Sequence, residues 1–457
     1  MTINAAGKEI LQRVKKAEVK FILLQFTDIL GMMKCVTIPA SRLEDVLDKG
    51  IWFDGSSIEG FTRIAESDMF LKPDVATYQL IPWKLEGKKS ARLICDVYTP
   101  DGQPFEGDPR SILKRALAEA NKMGYHFNTG PEVEFYLFKK EDGRITTAPH
   151  DIGGYFDYPA RDFASEVRED MIFALEAMGM EVEMSHHEVG PGQHEIAVRY
   201  SNALTSADNT VTLKYVIKSI AAQHGLYASF MPKPLFGQAG SGMHVHQSLF
   251  CAKGASASGG DKKGKSAFFD AKDKYKLSEV AYGYLAGQLA HARALTAIVA
   301  PTVNSYKRLV SGYEAPVYIC WGQVNRSALI RIPRYSPGRE LSTRMELRCP
   351  DPACNPYLAF AAMLMCGLDG VKRGLKPPKP VEENVYHLDP ARLKELKIEM
   401  LPFSIKRAVE ELKNDEVIKA ALGKHTFESF YNAKISEFDD YRMRITPWEI
   451  EKYLEAL

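Results

Sequence analysis

At 457 residues the chain is too long for one compact core, and a prior of about 150 residues per domain predicts two or three domains. Hydrophobic residues make up 45% and charged residues 26%, the balance of a folded soluble protein and not of a disordered chain. Lys plus Arg total 59 against 58 for Asp plus Glu, so the net charge of +1 gives no long-range pull towards nucleic acid or an anionic membrane.

The 7 cysteines are odd in number, scattered and without paired CxxC spacing, which reads as free thiols in a reducing compartment. Charged residues from Lys8 to Lys20 interrupt any signal-peptide core, and no segment approaches the roughly 20 apolar residues that span a bilayer. A cytoplasmic location is the expectation.

In chain order, a short amphipathic helix around Ile10, Leu11 and Val14 precedes a hairpin of strands at 19–26 and 33–38, turned at Gly31. A helix at 43–47, a Gly/Ser loop at 54–60 and a strand at 91–97 complete a small mixed domain over residues 1–104. Asp108 as N-cap and Pro109 at the first helical position open a helix over 109–123 and with it a larger domain, 105–457. In that domain strand-like runs with alternating charges are interleaved with helices, one of them over 278–299, which favours α+β over a parallel doubly wound sheet. Residues 253–265 read as an exposed Gly/Ala/Ser/Lys loop, and the Pro-rich stretch 375–381 ends a helix. The C-terminal Trp448, Ile450, Tyr453, Leu454 and Leu457 suit a helix that docks its apolar side.

Four segments carry the chemistry. Strand alternation in 130–138 puts Glu132 and Glu134 on one face and Val133, Phe135 and Leu137 on the other. Adjacent carboxylates repel, and beside apolar residues they call for a cation or a proton, although a solvated face is the alternative for an isolated pair. The turn Gly190-Pro191-Gly192 folds Glu188 and Glu195 onto neighbouring strands. Behind Gly240-Ser241-Gly242, alternation puts His244, His246 and Ser248 on one face, and Arg344, Glu346 and Arg348 share another.

Five glutamates and a histidine form an oxygen-rich set suited to Mg²⁺ or Mn²⁺ rather than zinc or copper. Arg308, Arg326, Arg331, Arg344 and Arg348 supply forks for carboxylate or phosphoryl oxygens, and metal plus arginine forks suits phosphoryl transfer. For any single arginine a surface salt bridge is the competing reading. Residues 259–266 also fit the phosphate-loop pattern, but a low-complexity tract precedes them where a buried strand is needed.

Together with 54–61, 304–310, 312–316, 325–327 and 348–357, these segments resemble type I glutamine synthetase along nearly the whole chain, in its feedback-regulated short subtype. The resemblance implies a β-grasp-like N-terminal domain on a larger catalytic domain whose antiparallel sheet is flanked by helices. It implies ATP-dependent glutamine synthesis from glutamate and ammonium through an acyl phosphate, in nitrogen assimilation. Two metal sites are implied, one held by Glu134, Glu188 and Glu195 and the other by Glu132, His244 and Glu346. Glu183, Tyr200, His246, Ser248, Arg326, Arg331 and Arg344 would contact ATP, and Gly240, Arg308, Glu314, Arg326 and Arg348 the glutamate. By the same resemblance Asp54 binds and deprotonates ammonium in the neighbouring subunit's site, and Glu314 lies in a closing loop, with Arg326 the third catalytic residue. A homododecamer of two stacked hexamers, joined by the C-terminal arm, and nitrogen-regulatory protein partners are implied as well.

Some positions depart from the family pattern. Ala239 stands where many members have Asn, and residues 335–343 form a longer segment. Arg63 resembles the arginine of members inhibited by glutamine, whereas Tyr386 lies near the adenylylated position of others but in different flanks. A γ-glutamyl ligase for larger amines and an inactive scaffold are the competing functions; a small anionic ammonium pocket argues against the first and six intact metal ligands against the second.

Overall fold

The computed structural model describes residues 3–56, 58, 60, 68–83, 87–252, 264–312 and 315–457. The N-terminal part builds a sheet from β1 (Phe21–Thr27), β2 (Met33–Pro39), β3 (Ile51–Asp54), β4 (Asp68–Leu80) and β5 (Ser90–Tyr98) in the order β2-β1-β5-β4-β3. The β1–β2 hairpin and the parallel pairing of β1 with β5 give the expected β-grasp-like arrangement. The helices Ala5–Lys16 and Leu43–Lys49 contribute Ile10, Val14, Leu43 and Val46 to a core shared with the sheet.

Asp108 caps the helix Pro109–Lys122 by accepting from the Arg110 and Ser111 amides. A second sheet follows: β6 (Tyr125–Glu141), β7 (Arg144–Pro149), β8 (Val182–His187), β9 (Gln193–Val198), β10 (Ser201–Asn202), β11 (Leu226–Ser229), β12 (Met243–Cys251), β13 (Trp321–Gly322), β14 (Ile330–Arg331) and β15 (Met345–Leu347). Its main path runs β13-β14-β15-β12-β6-β9-β8, antiparallel except for the β13–β14 pair. With its flanking helices this is the expected α+β catalytic architecture. Val133, Phe135 and Leu137 of β6 and Met243, Val245 and Leu249 of β12 enter the core, so the alternate residues of both strands point to the opposite face, where the site lies.

The helix expected over 278–299 is two, Glu279–Ala290 and Ala292–Val299, broken at His291. The helix Pro356–Arg373 ends at Gly374 in a left-handed C-cap before the Pro-rich stretch. The two parts meet at a buried junction. Arg110 binds Asp74 of β4 and Asp96 of β5, each at 2.8 Å, and Asp208 of the helix Ala203–Gln223 through two bonds of 2.9 Å. Asn355 donates to the Asp28 carbonyl at 3.0 Å, and Gly31, with φ of +80°, passes so close that an added Cβ would lie 2.8 Å from the Asn355 Cα.

Candidate metal and nucleotide site

Register brings distant residues together. Antiparallel pairing of β12 with β6 sets His244 opposite Glu132, and pairing of β12 and β14 with β15 sets both His246 and Arg331 opposite Glu346. The His244 Nδ1 lies 3.6 Å from Glu132 Oε2 and 3.7 Å from Glu346 Oε1. Donors around an octahedral Mg²⁺ lie about 3 Å apart, and the three ligand atoms here lie within 4.8 Å of one another, close enough for an ion to draw them together. Burial and the nearby Arg348 hold the His244 ring below its usual pKa, which leaves a neutral imidazole with a lone pair for a cation. Burial works to raise Glu132, but its neighbours His244 and His246 outweigh it and keep this carboxylate well below the usual range. Glu346 is nearly inaccessible, bonded by Arg348 and, at 2.5 Å, by the Arg331 Nε.

The second group forms beside it. Glu195 lies on β9 as expected, while Glu188 sits just past the end of β8, and His186 joins them with Nε2 2.7 Å from Glu188 Oε1. Glu134 Oε2 is drawn back by the Gln193 Nε2 at 3.0 Å and the Gly242 amide at 2.8 Å. Burial, then the charges of neighbouring carboxylates, push Glu195 up to about 10 and Glu134 up to about 7. Glu195 feels Glu132, Glu134, Glu188 and Glu346 at once. Five mutually repelling carboxylates in one half-buried place fit hard divalent cations by donor chemistry as well as by charge.

Two cavities flank the carboxylates. One, of about 310 Å³, is lined by Glu132, Glu183, Tyr200, His246, Ser248 and Arg344, which unites five of the seven expected ATP contacts. The other is lined by Glu134, Glu188, Gly240, His244, Arg308 and Arg348. Arg308 is buried, its guanidinium held by the carbonyls of Arg348, Cys349 and Pro350 at 2.9–3.2 Å. Arg331 lines neither cavity but grips Glu346, and Arg326 is exposed. Asp54 ends the edge strand β3, exposed and lining neither cavity. Glu314 and Arg63 lie outside the described residues.

Other positions went unread in the sequence. Arg339, Leu341 and Ser342 line the nucleotide-sized cavity, and only the unusual length of 335–343 marked them. Asp151, His187 and His194 form a third cluster, wholly buried beneath Glu188 and Glu195. Its chemistry is not that of a metal site: Arg168 approaches the His194 Nδ1 at 3.0 Å, so the ring keeps its hydrogen on Nε2 and offers no lone pair there. His187 instead bridges Asp151 at 2.9 Å to the Glu188 carbonyl at 2.7 Å and so stiffens the turn that carries Glu188. The phosphate-loop pattern lies partly in 253–263, outside the described residues; its described end enters no helix, since Ser266 bridges to Phe250.

Clustered carboxylates lining a cavity of about 310 Å³, with arginines nearby, are the equipment of metal-dependent phosphoryl transfer. The family model "Glutamine synthetase, catalytic domain" matches residues 106–453, and "Glutamine synthetase, beta-Grasp domain" matches residues 18–100. Glutamine synthetases of Methanosarcina mazei and Thermus thermophilus are 52% and 51% identical over 451 residues, covering 98% of this chain and of theirs. The solved structure titled "GmaS/ADP complex-Conformation 1" superposes with a TM-score of 0.87 at 32% identity, covering 100% of both chains. The chain belongs to the glutamine synthetase family. It is a glutamate–ammonia ligase that makes L-glutamine from L-glutamate, ammonia and ATP through γ-glutamyl phosphate, the step that assimilates nitrogen. Divalent metal and ATP are what the family uses. Among the described residues no helix is long and apolar enough to cross a membrane.

Proposed function

We propose that Glu132, His244 and Glu346 hold one divalent ion against the ATP phosphates and that Glu134, Glu188 and Glu195 hold a second beside glutamate. Mg²⁺ or Mn²⁺ is the ion. The observation that carries this reading is that carboxylates of the one cluster line both cavities, Glu132 the one with the nucleotide candidates and Glu134 and Glu188 the one with the glutamate candidates. ATP lies along Glu183, Tyr200, His246, Ser248 and Arg344, with Arg326 and Arg331 facing its phosphates. Gly240, Arg308, Glu314, Arg326 and Arg348 orient glutamate.

In this reading a divalent cation held by these carboxylates and His244 would supply charge that screens the phosphates. Arg326 and Arg331 meet the negative charge that develops on the transferred phosphoryl group as the glutamate side-chain carboxylate attacks in line. Glutamate is aligned for that attack by Arg308 and Arg348, whose own positions are fixed by the 348–350 carbonyls and by Glu346. Asp54, contributed by a neighbouring subunit, binds ammonium and takes its proton, because only neutral ammonia carries the lone pair that attacks the acyl phosphate. The loop bearing Glu314 closes over the site and keeps water from that intermediate. Tyr386 donates to the Ala315 carbonyl at 2.8 Å, beside that loop, and its hydroxyl is committed there.

The same reading takes residues 1–104 and 105–457 as the two domains, a cytoplasmic homododecamer of two hexameric rings as the assembly, and Arg63 as the contact for glutamine feedback. Nitrogen-regulatory proteins are candidate partners. The helix Pro447–Tyr453 supports the assembly: Trp448, Ile450, Tyr453, Leu454 and Leu457 are exposed on their own chain and suit an arm that joins the rings.

The test is glutamine formation from glutamate, ATP and Mg²⁺, quantified by mass spectrometry with ammonium and with a panel of larger amines. Ammonium-dependent glutamine that disappears in Glu134→Ala and in Asp54→Ala supports the assignment. Full activity in either variant overturns that residue's role.

A further inference from the structure

Tyr136 and Gln193 are opposite one another in the β6–β9 ladder, both almost wholly buried, and their side chains reach the same turn. The Tyr136 hydroxyl donates to the Ala239 carbonyl at 2.6 Å. Gln193 Nε2 has two hydrogens and uses both, one on the Gly240 carbonyl at 3.1 Å and one on Glu134 Oε2 at 3.0 Å. Its Oε1 accepts from the Gly190 amide at 3.0 Å, so the carboxamide is fixed in one orientation. Glu134 closes the circuit by accepting from the Gly242 amide at 2.8 Å. A Cβ on Gly190 would lie 2.2 Å from the Tyr136 hydroxyl and 2.9 Å from Gln193 Oε1, so a glycine is needed for the pair to reach the turn.

We infer that Tyr136 and Gln193 are positioning residues that lock the glutamate-binding turn at 239–240 to Glu134, so that cation and glutamate are placed by one hydrogen-bonded unit. The inference rests on the reading of Glu134 as a metal ligand and Gly240 as a glutamate contact. Only a neutral donor serves at position 193. A carboxylate would turn an acceptor towards Glu134, and an apolar chain would leave both Glu134 Oε2 and the Gly240 carbonyl short of a partner. Tyr136 acts on the turn alone, since its hydroxyl meets Ala239 and no metal ligand.

Three variants separate these roles. Gln193→Met keeps the volume and removes the bonds, Tyr136→Phe deletes one oxygen, and Glu134→Gln serves as control. Mn²⁺ binding is read by electron paramagnetic resonance without substrate, KM is measured for glutamate and for ATP, and thermal unfolding reports integrity. Gln193→Met is expected to weaken Mn²⁺ binding and raise the glutamate KM about tenfold each, as loss of a ligand-orienting bond does. Its ATP KM stays unchanged, because none of the partners of Gln193 lines the nucleotide cavity. Tyr136→Phe raises the glutamate KM and leaves Mn²⁺ binding as it was. A folded Gln193→Met with normal glutamate KM and normal Mn²⁺ binding overturns the inference, as does an equal rise in the ATP KM. If Gln193→Met fails to fold, Tyr136→Phe decides, and an unaltered glutamate KM there sinks the proposal. Normal Mn²⁺ binding by Glu134→Gln would remove the ligand assignment and the inference with it; loss in Glu134→Gln beside normal binding in Gln193→Met removes the inference alone.

Discussion

His246 donates from Nε2 to Glu132 Oε1 across 2.9 Å, and the direction of that bond is set on the other side of the ring. The Arg344 Nε donates to Nδ1 at 3.2 Å, so Nδ1 is the acceptor and the ring hydrogen stays on Nε2. A residue lining the 310 Å³ cavity thereby orients a carboxylate of the Glu132–His244–Glu346 group. His246→Phe keeps the ring and removes both bonds. It is expected to raise the ATP KM at least about tenfold, since each lost bond is to a charged group, with little effect on the glutamate KM. Steady-state kinetics with each substrate varied in turn checks this, and a rise confined to glutamate would contradict it.

The parts of this arrangement that the sequence disclosed are those governed by short periods. The period of two along β6 and β12 was enough to place Glu132 with Glu134 and His244 with His246. Asp108 followed by Pro109 marked a helix start. What stayed hidden is register and long-range capture. Nothing local says that His244 faces Glu132 or that Arg331 faces Glu346, because such pairing is decided by the sheet as a whole. The strand β4 went unread because Pro73 interrupts its pattern and its pairing shifts between Asp74 and Gln79. Gln193 was visible only as a polar residue after a turn, since its role depends on Gly240, distant in sequence.

Arg110 is the centre of the junction between the two sheets' domains. Burial acts to lower its pKa, but Asp208 and the other carboxylates outweigh this and raise it. Arg110→Met would strand Asp74, Asp96 and Asp208 without their shared cation. Removing one partner from such a buried cluster costs about 3–5 kcal/mol. The expected result is a lower denaturant midpoint for the whole chain. Asp208→Asn is expected to cost less, because Arg110 keeps Asp74 and Asp96.

Cation affinity should rise with pH. Glu134 and Glu195, pushed up to about 7 and about 10, must each release a proton before they can act as charged ligands, so cation binding and proton release are linked. Mn²⁺ titrations in weakly buffered solution should show acidification, and tighter binding at about pH 8 than at about pH 6. The sign for stability is the reverse in chelator-treated protein. Raised carboxylate pKa values mean that the folded state holds more protons, so stability falls as pH climbs from the ordinary carboxylate range through these values. Added Mn²⁺ should flatten that fall, and a pH-independent Mn²⁺ affinity would contradict the linkage.

The break between the helices Glu279–Ala290 and Ala292–Val299 is also a titratable joint. His291 Nδ1 lies 2.6 Å from Asp415 Oδ2 and Nε2 lies 3.1 Å from Asp369 Oδ2. Asp369 belongs to the helix Pro356–Arg373 and also accepts from Arg373 at 2.8 Å, while Asp415 caps the helix Glu416–Leu422. Burial acts to lower His291, but its bonds to Asp415 and Asp369 outweigh that and raise it. A histidine raised on folding contributes its full stability below its unfolded value of about 6.5 and loses it as pH rises through the folded value. Asp369 is held low, partly by the same ring, so its own contribution lasts until acid reaches its folded value. Urea midpoints should therefore drop in the native chain as pH rises above about 6.5, and His291→Gln, which cannot become a cation, should lower the acid-side midpoint and shrink the drop. An unchanged pH dependence in His291→Gln would assign the drop to other groups.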